Sequence, residues 1–453
     1  QKAFGTGAAT NSADDIYHAD LFIIIGANPT NAHPVTGSKI KQQVMKGKKL
    51  IVLDPVKTEL AKMADYHIQL RPGTNVAVLN MILYFILEAG LEKKSFIKER
   101  CEGFEDFAKE IKKLNIAKLE KACGVNRQLV KEAAIAYATA KNSMEFHGLG
   151  VTEHTQGSKT VMLIADLAMI TGNLGRKGVG VNPLRGQNNV QGAADMGCQP
   201  HQGAGYLPLD DKKIQKFYTE KYGVVHPTKA GLKIPEIFDA AIDGSLKAVW
   251  IIGEDVVQTD PNSAHVIKAM KALDLLVVQE IFMSETAKLA TVILPGTTFL
   301  EKNGTFTNTE RRIQKVNQVA KPLAGCKPDG IIVTEMMQRL GYKQPIYDAD
   351  QVLAEIADVV PFFKGATRER LGKLGLQWPV KEDGTSTKIL HTETFKLDKG
   401  QIKYFDWKET NELIENRNKF PLILTTSRIL QHYNAATMTR RTNNLKIVNE
   451  DIL

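Results

Sequence analysis

The chain has 453 residues, too many for one ordinary hydrophobic core, so we predict two to four domains. Its formal net charge of +9 is spread along the sequence without a Lys/Arg block or a basic stripe interleaved with aromatic residues, which argues against a dedicated nucleic-acid-binding protein. No run approaches the roughly 20 apolar residues of a membrane-spanning helix, so we predict no membrane span.

The cysteine spacing indicates the redox compartment of the protein, and the first residue indicates whether the chain is part of a longer one. Cys101, Cys123, Cys198 and Cys326 are widely spaced, and no C-x-x-C pair occurs. This spacing encodes neither a disulfide framework nor an iron–sulfur motif, which favours reduced thiols in the cytoplasm. The chain begins with Gln1 rather than Met, which indicates a fragment of a longer protein.

An apolar run over Leu21–Ile25 predicts the first strand. It ends at Gly26, a helical stretch continues to Lys46, and a second apolar run covers 50–53 and ends in Asp54. Strands without polar alternation are typical of a parallel sheet that is buried on both faces. This stretch therefore predicts a β-α-β unit.

The next part of the chain predicts helices around one further strand. Segments 75–89 and 132–140 have the pattern of amphipathic helices with a structural role. A strand-like run over 144–150 leads through the polar turn 151–157 into an apolar helix over 161–170.

The most informative segment is the glycine-rich stretch 172–197. It contains seven glycines, the single acid Asp195, and side chains that donate hydrogen bonds, namely Arg185, Gln187, Asn188, Asn189 and Gln191. A backbone with so few side chains can approach a bulky ligand closely, and a guanidinium with four amides suits an anion. We therefore predict a large, polar, negatively charged ligand, with an ordinary glycine-rich surface loop as the alternative.

The order of elements in the first unit recurs later in the chain. Ala248–Ile252 is followed by Gly253, a helical stretch to Ala272, and a run over 275–279 that ends in Glu280. Ligands of such units bind beyond the carboxyl ends of the strands, so two units predict two nucleotide-like sites. Neither unit has a G-x-G-x-x-G fingerprint or a P-loop, which argues against NAD, FAD and ATP. A plain structural turn is the alternative interpretation of each glycine.

Several motifs together carry a resemblance to a known family. They are Asn-Pro-Leu-Arg-Gly-Gln-Asn-Asn-Val-Gln-Gly at 182–192, Gly-Ala-Asn-Pro-Thr-Asn-Ala-His-Pro at 26–34, Gly-Glu-Asp-Val-Val-Gln-Thr-Asp at 253–260, Leu-Pro at 294–295, and the segments 150–157 and 304–311. These motifs resemble the catalytic subunits of molybdenum- or tungsten-dependent formate dehydrogenases, which are bis-molybdopterin-guanine-dinucleotide oxidoreductases. The resemblance covers nearly the whole chain, and the segment around Arg185 is its most specific part because related nitrate reductases differ there.

The resemblance implies an α/β fold with two related Rossmann-like domains, each with a parallel sheet, followed by the start of a C-terminal β-barrel domain. The first domain, 1–187, binds one guanine dinucleotide and contributes the substrate loop, and the second, 188–320, binds the other dinucleotide. The segment 321–418 is predicted to be an irregular connecting region rich in Lys, Asp and Glu. Residues 419–453 are the truncated barrel, with a new strand over 420–425.

The resemblance also implies a cofactor of two molybdopterin guanine dinucleotides that hold one molybdenum or tungsten. The matching cofactor-binding positions are Gly26, Asn28, Asp54, Gly73 and Asn75 for one dinucleotide, Gly253, Glu254, Gln258, Thr259 and Glu280 near the other, and Gln187, Arg428 and His432, of which the last two match the start of the barrel.

The chain departs from the family's pattern in its ligands. The metal-ligating Cys or selenocysteine, followed by His, should lie just before the segment that resembles 1–11 and is not in this chain, and the four-cysteine iron–sulfur motif is also missing. We therefore assign no metal ligand and expect a [4Fe–4S] cluster in a missing N-terminal part or in partner subunits. Val56 stands where relatives often have Arg, which weakens the assignment around Asp54.

The implied reaction is the two-electron interconversion of formate and CO2, with the electrons passed to iron–sulfur subunits. Arg185 is the predicted substrate-orienting residue because a guanidinium binds a carboxylate through two parallel hydrogen bonds. His154 is a candidate proton carrier or polar wall, with a structural role as an equal alternative, whereas His33 and His67 are interpreted as structural. Two other hypotheses are a reductase of the same cofactor family that acts on nitrate or an oxo-substrate, and a non-catalytic scaffold in an electron-transfer complex.

Overall fold

The computed structural model describes residues 1–410 and 418–445 of the chain. The strands are β1 Leu21–Ile25, β2 Lys49–Leu53, β3 Tyr66–Ile68, β4 Cys101–Glu102, β5 Ser143–His147, β6 Gly180–Pro183, β7 Gln202–Gly203, β8 Leu207–Pro208, β9 Ala248–Ile252, β10 Leu275–Glu280, β11 Val292–Pro295, β12 Gly304–Thr307, β13 Arg312–Val316, β14 Leu376–Gln377 and β15 Gly400–Gln401. The helices are α1 Pro29–Ala32, α2 Pro34–Met45, α3 Glu59–Met63, α4 Asn75–Glu88, α5 Lys94–Arg100, α6 Phe104–Ile111, α7 Ile116–Cys123, α8 Arg127–Thr139, α9 Leu149–Thr152, α10 Gly157–Ile170, α11 Val190–Asp195, α12 Lys212–Tyr222, α13 Ile234–Ile242, α14 Val256–Thr259, α15 Ser263–Ala272, α16 Asp329–Arg339 and α17 Ala349–Val359. Within these described ranges, no helix is both long enough and apolar enough to cross a lipid bilayer.

The chain forms two compact units, each assembled from separated pieces. Unit 1 comprises Gln1–Gly186, Thr309–Arg311 and the described parts of Lys388–Leu430, and unit 2 comprises Gln187–Asn308, Arg312–Thr387 and the described parts of Gln431–Leu453. The first division lies next to the predicted domain boundary at 187, whereas the described part of the segment 321–418 is shared between the two units.

Unit 1 is built on a five-stranded parallel sheet in the order β3-β2-β1-β5-β6. Ile23 and Ile25 pack with α4, α8 and α10 on one face, while Phe22 and Ile24 pack with α2 and α3 on the other. Full burial of such a side chain contributes about 1.5–3 kcal/mol, so contacts on both faces hold the sheet firmly. The predicted β-α-β unit with a parallel sheet is confirmed, and β1 has the predicted bounds.

Unit 2 contains a smaller parallel sheet in the order β11-β10-β9. Helices α13 and α15 cover it through an apolar cluster that includes Phe238, Val266 and Val278. An antiparallel sheet in the order β12-β13-β14 lies in the same unit. The second predicted β-α-β unit is also confirmed.

Two earlier segments differ in detail from the sequence-based predictions. The stretch 172–197 is not one continuous loop, because β6 joins the sheet of unit 1 and α11 forms from Val190–Asp195. Helix α8 begins at Arg127, before the predicted segment 132–140, because the Asn126 side chain accepts hydrogen bonds from the backbone N–H groups of Gln128 at 2.8 Å and Leu129 at 3.3 Å.

The later part of the chain differs more from the sequence-based predictions. Helices α16 and α17 lie in the segment predicted to be irregular, and Asp348 caps α17 by accepting from the backbone N–H of Gln351 at 2.9 Å. The strand predicted over 420–425 is wrong, because these residues are irregular and belong to none of the strands of the described residues. Leu422 and Leu424 are exposed there, and an apolar run becomes a strand only when a neighbouring strand pairs with it.

Candidate active site

The strands of unit 1 end level with one another and place three loops at one edge of the sheet. Ile25 lies opposite Leu53 on β2 and opposite His147 on β5. Gly26, Asp54 and the segment that starts at Gly148 therefore follow at the same edge. In a parallel sheet this carboxyl edge is where ligands bind.

Gly26 is a glycine because another backbone segment lies against it. Its φ is +52°, and a Cβ atom on this residue would lie 2.6 Å from the carbonyl carbon of Gly150. The backbone N–H of Gly150 donates to the Gly26 carbonyl at 3.0 Å, and the Asn75 side-chain amide donates to the Gly150 carbonyl at 3.3 Å. The loops after β1 and β5 and the start of α4 are thus joined through backbone groups.

The other predicted cofactor positions of unit 1 make local contacts. The Asn28 carboxamide oxygen accepts from the Thr30 hydroxyl at 2.9 Å. Asp54 is 9% exposed and accepts from the backbone N–H of Val56 at 2.8 Å, while burial raises the pKa of its carboxyl group. The Gly73 carbonyl accepts from the indole N–H of Trp407 at 3.0 Å.

Arg185 is anchored at several points. Its guanidinium Nη2 donates to the Gly7 carbonyl at 2.5 Å, and its backbone N–H donates to the Thr309 hydroxyl at 3.1 Å. His33 Nε2 lies on the Arg185 carbonyl, and because a carbonyl only accepts, this nitrogen carries the proton. His33, interpreted from the sequence as a turn residue, therefore also positions the backbone of Arg185.

Two neutral imidazoles lie near the guanidinium groups of this edge. Burial lowers the pKa of His147 to about 4, with a further contribution from the positive charge of Arg185. Burial also lowers the pKa of His33, and the charge of Arg428 adds to this effect. Two permanent positive charges beside imidazoles that stay neutral form a setting suited to a small anion.

Arg428 and His154, two further predicted site residues, accept hydrogen bonds through their backbone carbonyl groups. The Arg428 carbonyl accepts from the Asn31 side-chain amide at 3.2 Å. His154 is half-buried between α9 and α10, and its carbonyl accepts from the backbone N–H of Gly157 at 2.8 Å. The proton-carrier role of His154 stays a prediction.

The donors after Arg185 have different surroundings. Gln187 is exposed. Gln191 is fully buried and donates to Asp195 and to the Tyr206 hydroxyl, each at 2.9 Å, so its amide supports unit 2 and is not presented to a ligand. The Asn189 carboxamide oxygen accepts from the backbone N–H of Thr307 at 2.9 Å. The prediction that the whole segment offers free donors is therefore wrong for Gln191.

In unit 2 the turn after β9 is open. Gly253 has a φ of +65°, and no heavy atom would lie within 4 Å of a Cβ atom placed on it. The exposed Glu254 accepts from the Thr259 hydroxyl at 2.8 Å. The buried Asp255 accepts from the Thr286 hydroxyl at 2.7 Å and so fixes the base of the turn.

A polar cavity of about 420 Å³ lies beside this turn, within unit 2. Its lining includes Gln258, Ser263, Arg440 and Arg441. Sequence analysis missed the two arginines, although adjacent basic residues beyond His432 were a usable signal. Such a pair is typical of phosphate binding.

Glu280 and His432 are the remaining predicted positions in this unit. Glu280 ends β10, its Oε1 accepts from the backbone N–H of Ile281 at 2.7 Å, and burial raises its pKa. His432 is 8% exposed and its Nδ1 lies 2.9 Å from the Thr439 hydroxyl.

Comparison with protein families gives a match over residues 3–339 to the molybdopterin oxidoreductases. The chain belongs to the molybdopterin oxidoreductase family. The chain is 43% identical over 447 residues to the F420-dependent formate dehydrogenase subunit alpha of Methanocaldococcus jannaschii, covering 98% of the chain and 66% of the relative. It is 37% identical over 443 residues to formate dehydrogenase H of Escherichia coli, covering 97% of the chain and 62% of the relative. The chain thus spans about two thirds of the length of these relatives.

A solved structure shares the fold of this chain. Acetylene hydratase from Pelobacter acetylenicus superimposes with a TM-score of 0.68 at 22% sequence identity, over 93% of this chain and 62% of the hydratase chain. At that identity the likeness supports the fold alone.

The described residues of the chain fit a phosphate-bearing cofactor. Open space over Gly253, a cavity lined by Arg440 and Arg441, and the buried Nδ1 of His33, which has no hydrogen-bond partner among the described residues, are features that a bound polar group accounts for. No cluster of three or more His, Cys, Asp or Glu side chains suited to a metal ion occurs within 1–410 and 418–445.

Proposed function

We propose that the full-length protein interconverts formate and CO2 by two-electron transfer, as the catalytic subunit of a formate dehydrogenase. The observation that carries this proposal is the anchored Arg185 beside neutral imidazoles, in a chain that is 43% and 41% identical to the alpha subunits of two F420-dependent formate dehydrogenases. A fixed guanidinium with uncharged neighbours suits a small carboxylate.

We further propose a cofactor of two molybdopterin guanine dinucleotides with molybdenum or tungsten. The family match supports the pterin, and the two β-α-β units support two dinucleotides. When bound, this group accepts the two electrons of the reaction. The positions that would hold one dinucleotide in unit 1 are Gly26, Asn28, Asp54, Gly73 and Asn75, and those in unit 2 are Gln187, Gly253, Glu254, Gln258, Thr259 and Glu280, with Arg428 and His432 as further contacts.

The side chains of unit 1 would orient the substrate. Arg185 would hold the carboxylate through two hydrogen bonds, and His33 and Thr309 would keep its backbone in place. His154 would carry a proton or form a polar wall. Residues 1–187 and 188–320 would act as the two dinucleotide-binding domains.

The electrons would leave through iron–sulfur subunits or an N-terminal cluster. Relatives from Methanocaldococcus jannaschii and Methanococcus maripaludis are named as alpha subunits, which supports further subunits in the assembly. A cytoplasmic location is proposed because all four cysteines are free thiols.

The test is an assay of the full-length protein with its partner subunits. Metal analysis, guanine release and formate-dependent dye reduction should all be positive, and nitrate should not be reduced. Reduction of nitrate in place of formate oxidation would support another reductase of the family. A preparation without metal or pterin would support the non-catalytic scaffold.

A further inference from the structure

One face of β5 carries a row of buried polar side chains. Alternate residues of a strand face the same side, so Ser143, Glu145 and His147 share one face, and their exposed fractions are 0%, 0% and 4%. Met144 and Phe146 face the opposite, apolar layer. A carboxyl group and an imidazole at this depth, on a strand that ends at the candidate site, mark candidate functional groups.

Glu145 is held by a tyrosine that is buried with it. The Tyr137 hydroxyl on α8 donates to Oε1 of Glu145, and the Ser143 hydroxyl donates to the Tyr137 carbonyl at 2.9 Å. Burial raises the pKa of Glu145 to about 8, and the hydrogen bond from Tyr137 opposes this rise. The carboxyl group therefore changes its protonation state close to neutral pH.

Glu145 and His147 each have one buried atom without a hydrogen-bond partner among the described residues. These atoms are Oε2 of Glu145 and Nδ1 of His147. Two positions along a parallel strand correspond to about 6.6 Å between Cα atoms, and side chains at these positions lie on the same face of the sheet. While the carboxyl group is ionised and the imidazole is neutral, both atoms accept hydrogen bonds, so a water molecule that donates to both would join them.

Few charges act on this pair. The neighbours of Glu145 on adjacent strands are Ile23 and Val181, and those of His147 are also apolar. Among the described residues of the packed strands and of helices α8 and α10, the ionisable groups that act on the pair are Tyr137 and, beyond β6, Arg185.

We propose that His147 and Glu145 form a proton-accepting pair for formate oxidation, an inference that rests on the proposed function. The reaction breaks the C–H bond of formate and yields CO2, a proton and two electrons. The electrons would leave through the cofactor to the acceptor subunits. Above about pH 8, where the carboxyl group of Glu145 is ionised, the proton passes through His147 and a bridging water to Oε2 of Glu145. Glu145 becomes a neutral carboxylic acid and returns the proton by the same path after the electrons have left.

Infrared spectroscopy of the cofactor-free full-length protein tests the pair independently of activity. We expect a band of a protonated carboxyl group that titrates near pH 8 and is lost in Glu145→Gln. Tyr137→Phe removes the hydrogen bond that stabilises the carboxylate and should move this titration to higher pH, which keeps the test decisive if Glu145→Gln does not fold. Absence of such a titration from the native protein, or its survival in Glu145→Gln, would overturn the proposal.

Asp166→Asn is the matched control. Asp166 is also fully buried in unit 1 and accepts from the backbone N–H of Lys403 at 3.4 Å, but it lies on α10 and outside the polar row. The band that titrates near pH 8 must survive this change. Its loss would reassign the titrating group to Asp166 and overturn the role of Glu145.

Rapid mixing of the cofactor-loaded enzyme with formate and a pH indicator tests the proton transfer itself. Without an electron acceptor and above pH 8, where Glu145 is ionised, the native enzyme should retain the proton, and Glu145→Gln should release it at once. Equal release from both would overturn the proposal. Failure of the native enzyme to oxidise formate would instead refute the proposed function, and the infrared titration would still decide whether the pair exists.

Discussion

Gly26 and Gly253 occupy matching turns of the two units but differ in what surrounds them, and replacing each with Ala separates packing from ligand binding. Both have positive φ, +52° and +65°, so a side chain costs about 1–2 kcal/mol at either position. In Gly26→Ala the new Cβ would also overlap the backbone of Gly150 at 2.6 Å and Val151 at 2.8 Å. Overpacking of this kind adds about 1–3 kcal/mol.

The expected outcomes follow from these costs. At about 2–4 °C per kcal/mol for a unit of this size, Gly26→Ala should lower the melting temperature of the cofactor-free protein by roughly 4–20 °C. Gly253→Ala should lower it by no more than roughly 8 °C, because only the strain at φ remains. Its methyl group would occupy the space proposed for a dinucleotide and should reduce the guanine content of the full-length enzyme.

The assays are thermal unfolding of the cofactor-free protein and measurement of guanine and metal per chain in the loaded enzyme. Native guanine content in Gly253→Ala would show that the cofactor does not lie over this turn. A native melting temperature for Gly26→Ala would contradict the packing argument.

Three further predictions concern single residues. Arg185→Lys should lower kcat/KM for formate at least about tenfold, the equivalent of roughly 1.4 kcal/mol, with native cofactor content. Arg127→Lys, which alters an exposed ion pair, should have native kinetics, and equal losses in both variants would remove the substrate role of Arg185. Glu280→Ala should lower the guanine content because it removes a charged acceptor worth about 1.5–3 kcal/mol, and unchanged stoichiometry would exclude Glu280 from the site. Iodoacetamide should modify the exposed Cys198 first, which mass spectrometry can follow. Burial raises the pKa of the Cys101 and Cys123 thiols to about 12, so they are rarely present as reactive thiolates. Faster modification of Cys101 than of Cys198 would contradict the burial argument.

The strands of the two parallel sheets could be predicted from the sequence because they are continuous apolar runs. Leu21–Ile25 and Ala248–Ile252 have the predicted bounds, and a glycine follows each of them. Where a polar side chain sets the element, as Asn126 does for α8, the pattern of apolar residues gives the wrong boundary.

The candidate site was less accessible to sequence reasoning because its contacts join distant parts of the chain. Arg185 was predicted from its motif, but its partners Gly7 and Thr309 lie 178 and 124 residues away. His33 and His147 were not predicted as neighbours of the site, since only the register of the sheet brings the ends of β1 and β5 together.

Unit 1 is assembled from separated pieces of the chain, which affects when it can fold during synthesis. Arg311 is fully buried, and its guanidinium donates to the Ala9 carbonyl at 2.7 Å and to the Lys388 carbonyl at 2.9 Å. Strand β15 pairs with β4, which precedes it by about 300 residues. A nascent chain that has emerged only as far as residue 187 therefore lacks the pieces that close unit 1, so this unit completes its fold late in translation and is exposed to chaperones until then.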